Sequence, residues 1–368
     1  MQTAIADTWM AKHWQTFRHD LDGLSDDPRR ARLAQLDTLR GIAALLIFFV
    51  HYHVLMGVWL VPGSADQSLA AALEVIAHSG TDLFFTLSGY LIYGSLMTRD
   101  QSWSGYLSRR FGRIYPTFFF VVCVYLAIFL VDPADSKLPG HALQAILYVL
   151  ANLALLAGVL PLEPIVAPAW SLSYLALFYL AAPLLVWQLR LPRWQPAQRM
   201  LLFAGLAVPL FAWGYLGGGP VRLVMFLAGM MLYELRPGSF GISGGRYSAA
   251  LFACAVAIMA VIAAFDVPAV MRYVALFVLF PLAVGASLAI PAIRGLFSWK
   301  WLRYLGRITL SYIMIHGLVL RILLLGSERF LPGSWHGPAL FWGLLVPTLI
   351  ATMVGAAVVY TFVEDVGE

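Results

Sequence analysis

Charged residues are scarce in this sequence of 368 residues, of which 12% are charged and 61% hydrophobic. Soluble domains carry about 25% charged residues, so this scarcity excludes a soluble enzyme. The mean hydropathy of +0.80 agrees with that exclusion. The polar tail over residues 1–33 lacks the apolar run and cleavage site of a secretory signal peptide, so we expect the first apolar span to act as the insertion signal.

Cysteine is also rare, because only Cys123 and Cys254 occur and both lie in apolar runs. Two such thiols supply neither a disulfide framework nor a set of metal ligands, so we expect no bound metal. The net charge of +5 reports topology in a membrane protein, and we expect no nucleic-acid partner. The expected partner is the lipid bilayer, and the oligomeric state is left open.

Long apolar runs predict an all-α integral membrane protein, because a β-barrel would show short alternating segments. Eleven segments approach the roughly 20 residues that a spanning helix needs. They lie near 40–60, 80–98, 112–131, 141–160, 168–189, 199–216, 220–236, 247–265, 271–291, 303–325 and 341–362. If all eleven cross, the 24 basic residues divide 14 to 10 between the two sides.

The charge distribution favours a smaller number of crossings. If the segment near 141–160 does not cross, the basic residues divide 19 to 5, which the positive-inside rule prefers. We therefore predict about ten transmembrane helices with both termini cytoplasmic and one re-entrant or surface segment near 141–160. Residues 34–365 would form a single transmembrane domain after the cytoplasmic tail 1–33.

The first span carries two ionisable residues, Arg40 and His51, eleven positions apart. On an α-helix eleven positions rotate about 1,100° and rise about 16 Å, so both side chains share one face. Arg40 alone could be a snorkelling topology anchor, and His51 alone could be a core histidine bonded to a neighbouring helix. Ionisable residues at membrane depth are nevertheless candidate functional residues.

Further polar residues enter the second and third spans. Asp82 could be a charge at a helix N-terminus or could hydrogen-bond a histidine, while Ser88 and its neighbour Gly89 suit close helix packing. Arg110 and Arg113 lie three positions apart and face the same way, an arrangement that suits recognition of phosphate. The alternative is that these arginines only follow the positive-inside rule.

Two later segments add aromatic residues and a second histidine. Trp170 and Tyr179 could be aromatic residues of the membrane interface, whereas His316 lies within a span. Together, cytoplasmic arginines and a histidine about 16 Å deeper suit a long thioester donor such as acyl-CoA. The arginines would bind the phosphates, and a histidine that titrates near neutral pH can act as a general base on an incoming hydroxyl.

The chain resembles the membrane acyltransferase-3 family, which O-acylates sugars and other acceptors at the bacterial envelope. The similarity covers roughly residues 34–365. Six motifs in the family's order carry it: Arg40 with His51; 80–92; 110–116; Trp170-Ser171-Leu172 with Phe178-Tyr179; Gly306 with Ser311 and His316; and Tyr360–Glu364.

The resemblance implies an O-acyltransferase of the bacterial inner membrane. It would move an acyl group, acetyl in the first instance, from cytoplasmic acyl-CoA to a glycan or lipid-linked saccharide, with no permanently bound cofactor. The implied catalytic residues are His51 as base or transient acyl carrier, Asp82 to orient it, and Ser88 or Tyr179 as oxyanion donor. The implied residues for binding CoA and substrate are Arg40, Arg110, Arg113, Trp170, Ser171, Ser311 and His316.

Two positions depart from the family's pattern. Where members usually carry a glutamate near the reaction centre, five residues after the tryptophan, this chain has Leu175, and Asp82 is the nearest substitute by motif. Asp365-Val366 follows the closing Glu364 where a proline is usual. Two other functions stay open: a transporter or exporter, and a non-catalytic family member in envelope assembly. The absence of an inverted repeat argues against the transporter.

Overall fold

A computed structural model describes residues 28–131, 136–235, 268–289 and 299–364. Most of the polar tail 1–33, the candidate span 247–265 and the pair Asp365-Val366 lie outside these residues. The described segments form α-helices connected by short turns, with no strand among them. The helices are α1 (Pro28–Met56), α2 (Ala65–Ala77), α3 (Ser79–Thr98), α4 (Trp103–Val131), α5 (Ala142–Leu153), α6 (Ala169–Gln188), α7 (Pro196–Gly217), α8 (Val224–Glu234), α9 (Ala269–Ala289), α10 (Lys300–Arg307), α11 (Thr309–Phe330) and α12 (Pro338–Val359).

The prediction of an all-α membrane protein is confirmed in its general form. Within the described residues, six stretches are long and apolar enough to cross a membrane. They are Ala34–Trp59, Trp103–Val131, Ala169–Gln188, Pro196–Gly217, Thr309–Phe330 and Pro338–Glu364. The count of about ten crossings and the cytoplasmic placement of the termini stay predictions.

Helix α3 shows why sequence and structure count spans differently. Its 20 residues extend about 30 Å, which is enough to cross a bilayer core. Most of them are buried, including Ser79, Thr81, Asp82, Thr86 and Ser88, because α3 packs against α1, α6 and α8. A helix surrounded by protein can carry polar residues that a lipid-facing helix cannot.

A close backbone contact joins α3 to α8. A Cβ atom added at Gly89 would lie 2.2 Å from the carbonyl oxygen of Phe226, so no larger residue fits without displacing one helix. This contact confirms the packing interpretation of Gly89 and places the small residue where two helix backbones meet.

The segment between α4 and α6 folds back on itself. Lys137 Nζ lies 2.7 Å from Glu163 Oε1 and donates a hydrogen bond of 3.1 Å to the Pro164 carbonyl, so the two ends of the segment meet. Helix α5 between them has 12 residues and extends about 18 Å, well short of a bilayer core of about 30 Å. These contacts support the prediction that the segment near 141–160 does not cross.

Polar clusters mark the two ends of the bundle. At the arginine end, Asp37 Oδ1 lies 3.3 Å from Arg40 Nη1 and Asp37 Oδ2 lies 3.9 Å from Arg307 Nε. At the histidine end, Glu74 Oε2 lies 2.7 Å from His53 Nδ1 and Glu74 Oε1 lies 3.4 Å from His78 Nε2. The sequence predicts that the arginine end is cytoplasmic.

A buried ion pair connects three helices near the C-terminal end of α8. Arg199 Nη2 donates to Glu234 Oε2 at 2.7 Å, and Tyr93 Oη donates to Glu234 Oε1 at 2.6 Å. The Glu234 side chain is 3% exposed, so both of its oxygens depend on these partners. The pair therefore fixes α7 and α8 against α3, the helix that carries Asp82 and Ser88.

We expect Glu234→Ala to lower the free energy of unfolding by about 3–5 kcal/mol, because it leaves the Arg199 charge buried without its carboxylate. Thermal unfolding of the detergent-purified protein measures the change. Glu163→Gln is the matched control, since its ion pair with Lys137 is 67% exposed on the glutamate side and is expected to contribute no more than about 1 kcal/mol. Equal melting temperatures for the two variants would contradict the structural role of Glu234.

Candidate active site

A small cavity at the arginine end, here the arginine cavity, brings together residues from α1, α3, α4, α6 and α11. It has a volume of about 70 Å³. Its lining includes five of the residues singled out in the sequence: Arg40, Ser88, Arg110, Arg113 and Tyr179. Residues that lie up to 139 positions apart in the chain, from Arg40 to Tyr179, thus meet at one site.

The arginine cavity is strongly positive. Three arginines and no acidic residue line it, and the nearby Asp37 forms ion pairs with Arg40 and Arg307. The guanidinium of Arg110 lies 5.6 Å from the ring centroid of Tyr106 and 5.8 Å from that of Tyr179. Aromatic stacking orients a guanidinium while leaving its in-plane N–H donors available to an anion.

Leu175 occupies the position of the family's glutamate and lines the arginine cavity with 4% exposure. Ser88 and Tyr179 line the same cavity, whereas His51 lines a different one. The oxyanion roles that the resemblance implies for Ser88 and Tyr179 stay predictions.

A larger cavity at the histidine end, here the histidine cavity, has a volume of about 410 Å³. The residues that give it chemical character are His51, His78, Trp170, Tyr174, Arg222 and Tyr273. Arg222 comes after the turn 218–220, where Gly218 ends α7 with a φ of +65° that favours glycine. That turn directs the chain back toward the bundle.

Asp82 has a different partner from the one expected. Its side chain is 2% exposed, and Oδ1 lies 3.6 Å from Arg222 Nε while making no hydrogen bond within the described structure. Asp82 lies in the first turn of α3 and its carboxylate faces the guanidinium of Arg222, so the role expected for it beside His51 stays a prediction. The carboxylate of Asp82 therefore balances the charge of the Arg222 guanidinium.

Arg222 is held from several sides. Its Nε donates a hydrogen bond of 2.8 Å to Tyr273 Oη, and its guanidinium lies 5.4 Å from the ring centroid of Trp170. Asp82, Tyr273 and Trp170 thus fix one side chain on the wall of the histidine cavity. The rings of Trp170 and Tyr174 complete this wall, with their centroids 5.6 Å apart.

Two histidines border the histidine cavity. His51 comes from α1, and its ring centroid lies 4.7 Å from that of His316 on α11. His78 precedes α3 and faces Glu74, which also binds His53. Burial and the neighbouring Arg222 guanidinium lower the pKa of the His78 imidazole, although Glu74 opposes this change.

Four residues implied by the resemblance line neither cavity: Asp82, Ser171, Ser311 and His316. Ser171 Oγ donates to the Pro168 carbonyl at 2.8 Å, at the first turn of α6. Ser311 Oγ donates to Glu364 Oε2 at 2.6 Å and joins α11 to the closing π-helical turn Tyr360–Glu364. His316 is fully buried behind His51. The binding roles that the resemblance implies for Ser171, Ser311 and His316 stay predictions.

No motif or spacing in the sequence indicates a functional role for Arg222, Tyr273, Tyr174 or His78. Arg222 follows a run of glycines and a proline that indicates a turn, and no spacing connects it with His51 or Asp82. A search for basic residues on the side opposite to the arginine-rich loops could have found it, because few basic residues are expected there.

Three helices, α1, α3 and α6, contribute residues to both cavities. Helix α1 contributes Arg40 to the arginine cavity and Ile47, Val50 and His51 to the histidine cavity. Helix α6 contributes Leu175 to one and the adjacent Tyr174 to the other. The cavities therefore lie one above the other along α1, with the arginines in one and His51 in the other.

Within the described residues, no group of three or more histidine, cysteine or acidic residues could hold a metal ion.

Comparison with known proteins identifies the chain's family. The family model described as an acyltransferase domain matches residues 33–361, nearly the whole chain. No curated protein and no solved structure matches the chain. With six family motifs in order, Arg40 and His51 on one helix, and a match over this length, the chain belongs to the acyltransferase-3 family of membrane acyltransferases.

Proposed function

We propose that this membrane acyltransferase moves an acyl group, acetyl in the first instance, from cytoplasmic acyl-CoA to a hydroxyl of a glycan or lipid-linked saccharide outside the cytoplasmic membrane of a bacterium. The observation that carries the proposal is the stacking of the two cavities along α1, with arginines at one end and His51 at the other. Donor and acceptor would approach from opposite ends and meet beside His51.

The donor's phosphates would bind at the arginine end. Arg40, Arg110 and Arg113 converge on one cavity from two helices, and clustered arginines suit the fork-shaped recognition of phosphate oxygens. Arg40 and His51 are about 16 Å apart along α1, a distance that the pantetheine arm of CoA can bridge. The thioester would then lie near His51 while the nucleotide stays among the arginines.

The arm must displace side chains to pass. A volume of about 70 Å³ is far below that of small-molecule sites, roughly 300–1,000 Å³. The residues at the junction are Leu175 in the arginine cavity and Ile47 and Tyr174 in the histidine cavity. Donor binding would therefore open a passage past these residues.

The acceptor would occupy the histidine cavity. Its volume of about 410 Å³ lies in the range of small-molecule sites, roughly 300–1,000 Å³. Trp170 and Tyr174 offer aromatic surface for a sugar ring, and Arg222 offers hydrogen-bond donors to its oxygens. Because Asp82 balances the charge of Arg222, the cavity suits a hydroxylated acceptor without requiring an anionic one.

The chemistry requires one base near the thioester. His51 would take the proton of the acceptor hydroxyl while its oxygen forms a bond to the thioester carbonyl carbon. The carbon–sulfur bond then breaks, and the proton passes to the leaving thiolate to release CoA. Such a transfer returns His51 to its starting form and needs no bound cofactor.

A transporter is the main alternative function, and a non-catalytic role in envelope assembly is the other. Sealed membranes that contain the protein, supplied with acetyl-CoA, separate the three. We expect free CoA to accumulate with time, together with an added acetyl mass on envelope glycans seen by mass spectrometry. Substrate flux without release of CoA would indicate a transporter, and neither activity would indicate a non-catalytic member.

A further inference from the structure

His316 occupies an unusual place for an ionisable residue. It lies in the middle of α11, is fully buried and lines neither the arginine cavity nor the histidine cavity. Its ring centroid lies 4.7 Å from that of His51, with an angle of 57° between the ring planes. The ring that borders the reaction site therefore has a second imidazole directly behind it.

The hydrogen bonds of His316 determine its tautomer. Nδ1 lies 2.7 Å from the carbonyl oxygen of Ile313. A carbonyl oxygen only accepts hydrogen bonds, so Nδ1 carries the proton and Nε2 of the neutral ring presents a lone pair. Nε2 is buried and has no hydrogen-bond partner within the described structure. An acceptor buried in this way costs about 1–3 kcal/mol if it stays unpaired, so a donor is expected beside it.

The charged form of His316 is disfavoured by its surroundings. In the segments that the structure describes, no carboxylate forms an ion pair with this ring, and a buried imidazolium without a counter-charge is costly. Tyr312 stacks on the ring with centroids 6.4 Å apart and contributes aromatic surface without charge. A neutral His316 with an acceptor at Nε2 fits this environment.

We infer that His316 is a positioning residue for His51. Its Nε2 would accept a hydrogen bond from one ring nitrogen of His51 after a small rotation of that ring, and so fix the His51 tautomer. The other nitrogen of His51 would then present its lone pair to the histidine cavity, where the proposed function requires a base. The inference rests on that proposed function for its catalytic consequence, but the pairing of the two rings does not.

This pairing assigns a partner to His51 that no carboxylate of the described residues supplies. Leu175 replaces the family's glutamate, and Asp82 faces Arg222. A neutral imidazole can orient His51 and select its tautomer as a carboxylate would, but it cannot balance a positive charge on it. His316 acts through His51 and not on the substrate, because it lines neither cavity.

Nitrogen-15 NMR of the full-length protein labelled on histidine tests the pairing, because imidazole shifts distinguish the two tautomers. The signals of His51 are identified by their loss in His51→Ala. We expect one dominant His51 tautomer in the wild type and a mixture in His316→Leu, which keeps the volume but removes the acceptor. His316→Gln presents an amide oxygen in a similar place, and we expect it to restore the single tautomer.

Kinetics of CoA release provide the second readout. We expect His316→Leu to lower kcat roughly a hundredfold or more with the KM for acetyl-CoA unchanged, and His316→Gln to recover part of the loss. An unaltered His51 tautomer in His316→Leu, or an unaltered kcat in a protein that releases CoA, would overturn the inference. If the wild type releases no CoA but the tautomer still changes, the pairing stands and the proposed function fails.

Discussion

The variant His51→Ala is expected to lose acyl transfer while inserting normally into the membrane. We expect the rate of CoA release to fall by about 10²- to 10⁴-fold, the usual contribution of a positioned general base. The physical reason is the position of His51, which borders the histidine cavity and shares a helix face with Arg40. Acetylation of envelope glycans in cells and CoA release in purified membranes both measure the loss.

The control for this variant is His141→Ala. His141 is exposed, precedes α5 and lines neither cavity, so its loss should leave the rate unchanged. Thermal unfolding of both variants separates a catalytic loss from a folding defect. If His51→Ala retains wild-type activity, His51 is a core histidine and another residue must accept the proton.

The variant Arg110→Ala is expected to weaken donor binding. A charge-assisted hydrogen bond contributes about 1.5–3 kcal/mol, so the Kd for CoA should rise roughly 10- to 100-fold. Arg110 lines the arginine cavity with Arg40 and Arg113 and is stacked between Tyr106 and Tyr179. Isothermal titration of the purified protein with CoA measures the change.

Arg109→Ala provides a matched control from the same turn of α4. Arg109 carries the same charge, but its side chain is exposed and donates a hydrogen bond of 2.5 Å to Gln101 outside the cavity. We expect its removal to change the Kd by less than twofold. Equal effects of the two substitutions would mean that the arginines only set topology and that the donor binds elsewhere.

The arginine cavity could be predicted from the sequence in large part. The positive-inside rule predicts that Arg40, Arg110 and Arg113 lie at the cytoplasmic ends of spans. Helical spacing predicts that the last two share one face. The sequence could not predict that Ser88, Leu175 and Tyr179 join them, because this depends on which helices pack together. The resemblance placed Ser88 and Tyr179 with His51 as possible oxyanion donors and not with the arginines.

The surroundings of His51 could not be predicted in the same way. Helical geometry placed His51 above Arg40, but it gave no information about α11, whose His316 comes from 265 positions further along the chain. Asp82 was expected beside His51 because a carboxylate commonly orients a catalytic histidine. Its true neighbour, Arg222, lies after a turn, and turn residues carry no periodicity that would place them.

The number of crossings shows a further limit. Apolar length finds helices that face lipid, such as α4 and α12, because their exposed sides must be hydrophobic. Helix α3 is surrounded by other helices, and α8 has only 11 residues, nearly all of them buried. The sequence predicts both as spans, within 80–98 and 220–236, yet neither is among the six stretches long and apolar enough to cross a membrane, so apolar runs alone do not give the number of crossings.

The measurement that tests the central claim most directly is the sidedness of donor use. Sealed proteoliposomes with one known orientation of the protein receive acetyl-CoA either at the arginine end or at the histidine end, with an acceptor glycan on both sides. The account predicts CoA release only when acetyl-CoA is at the arginine end, with the acetyl group appearing on glycan at the histidine end. Release from acetyl-CoA supplied only at the histidine end would contradict it.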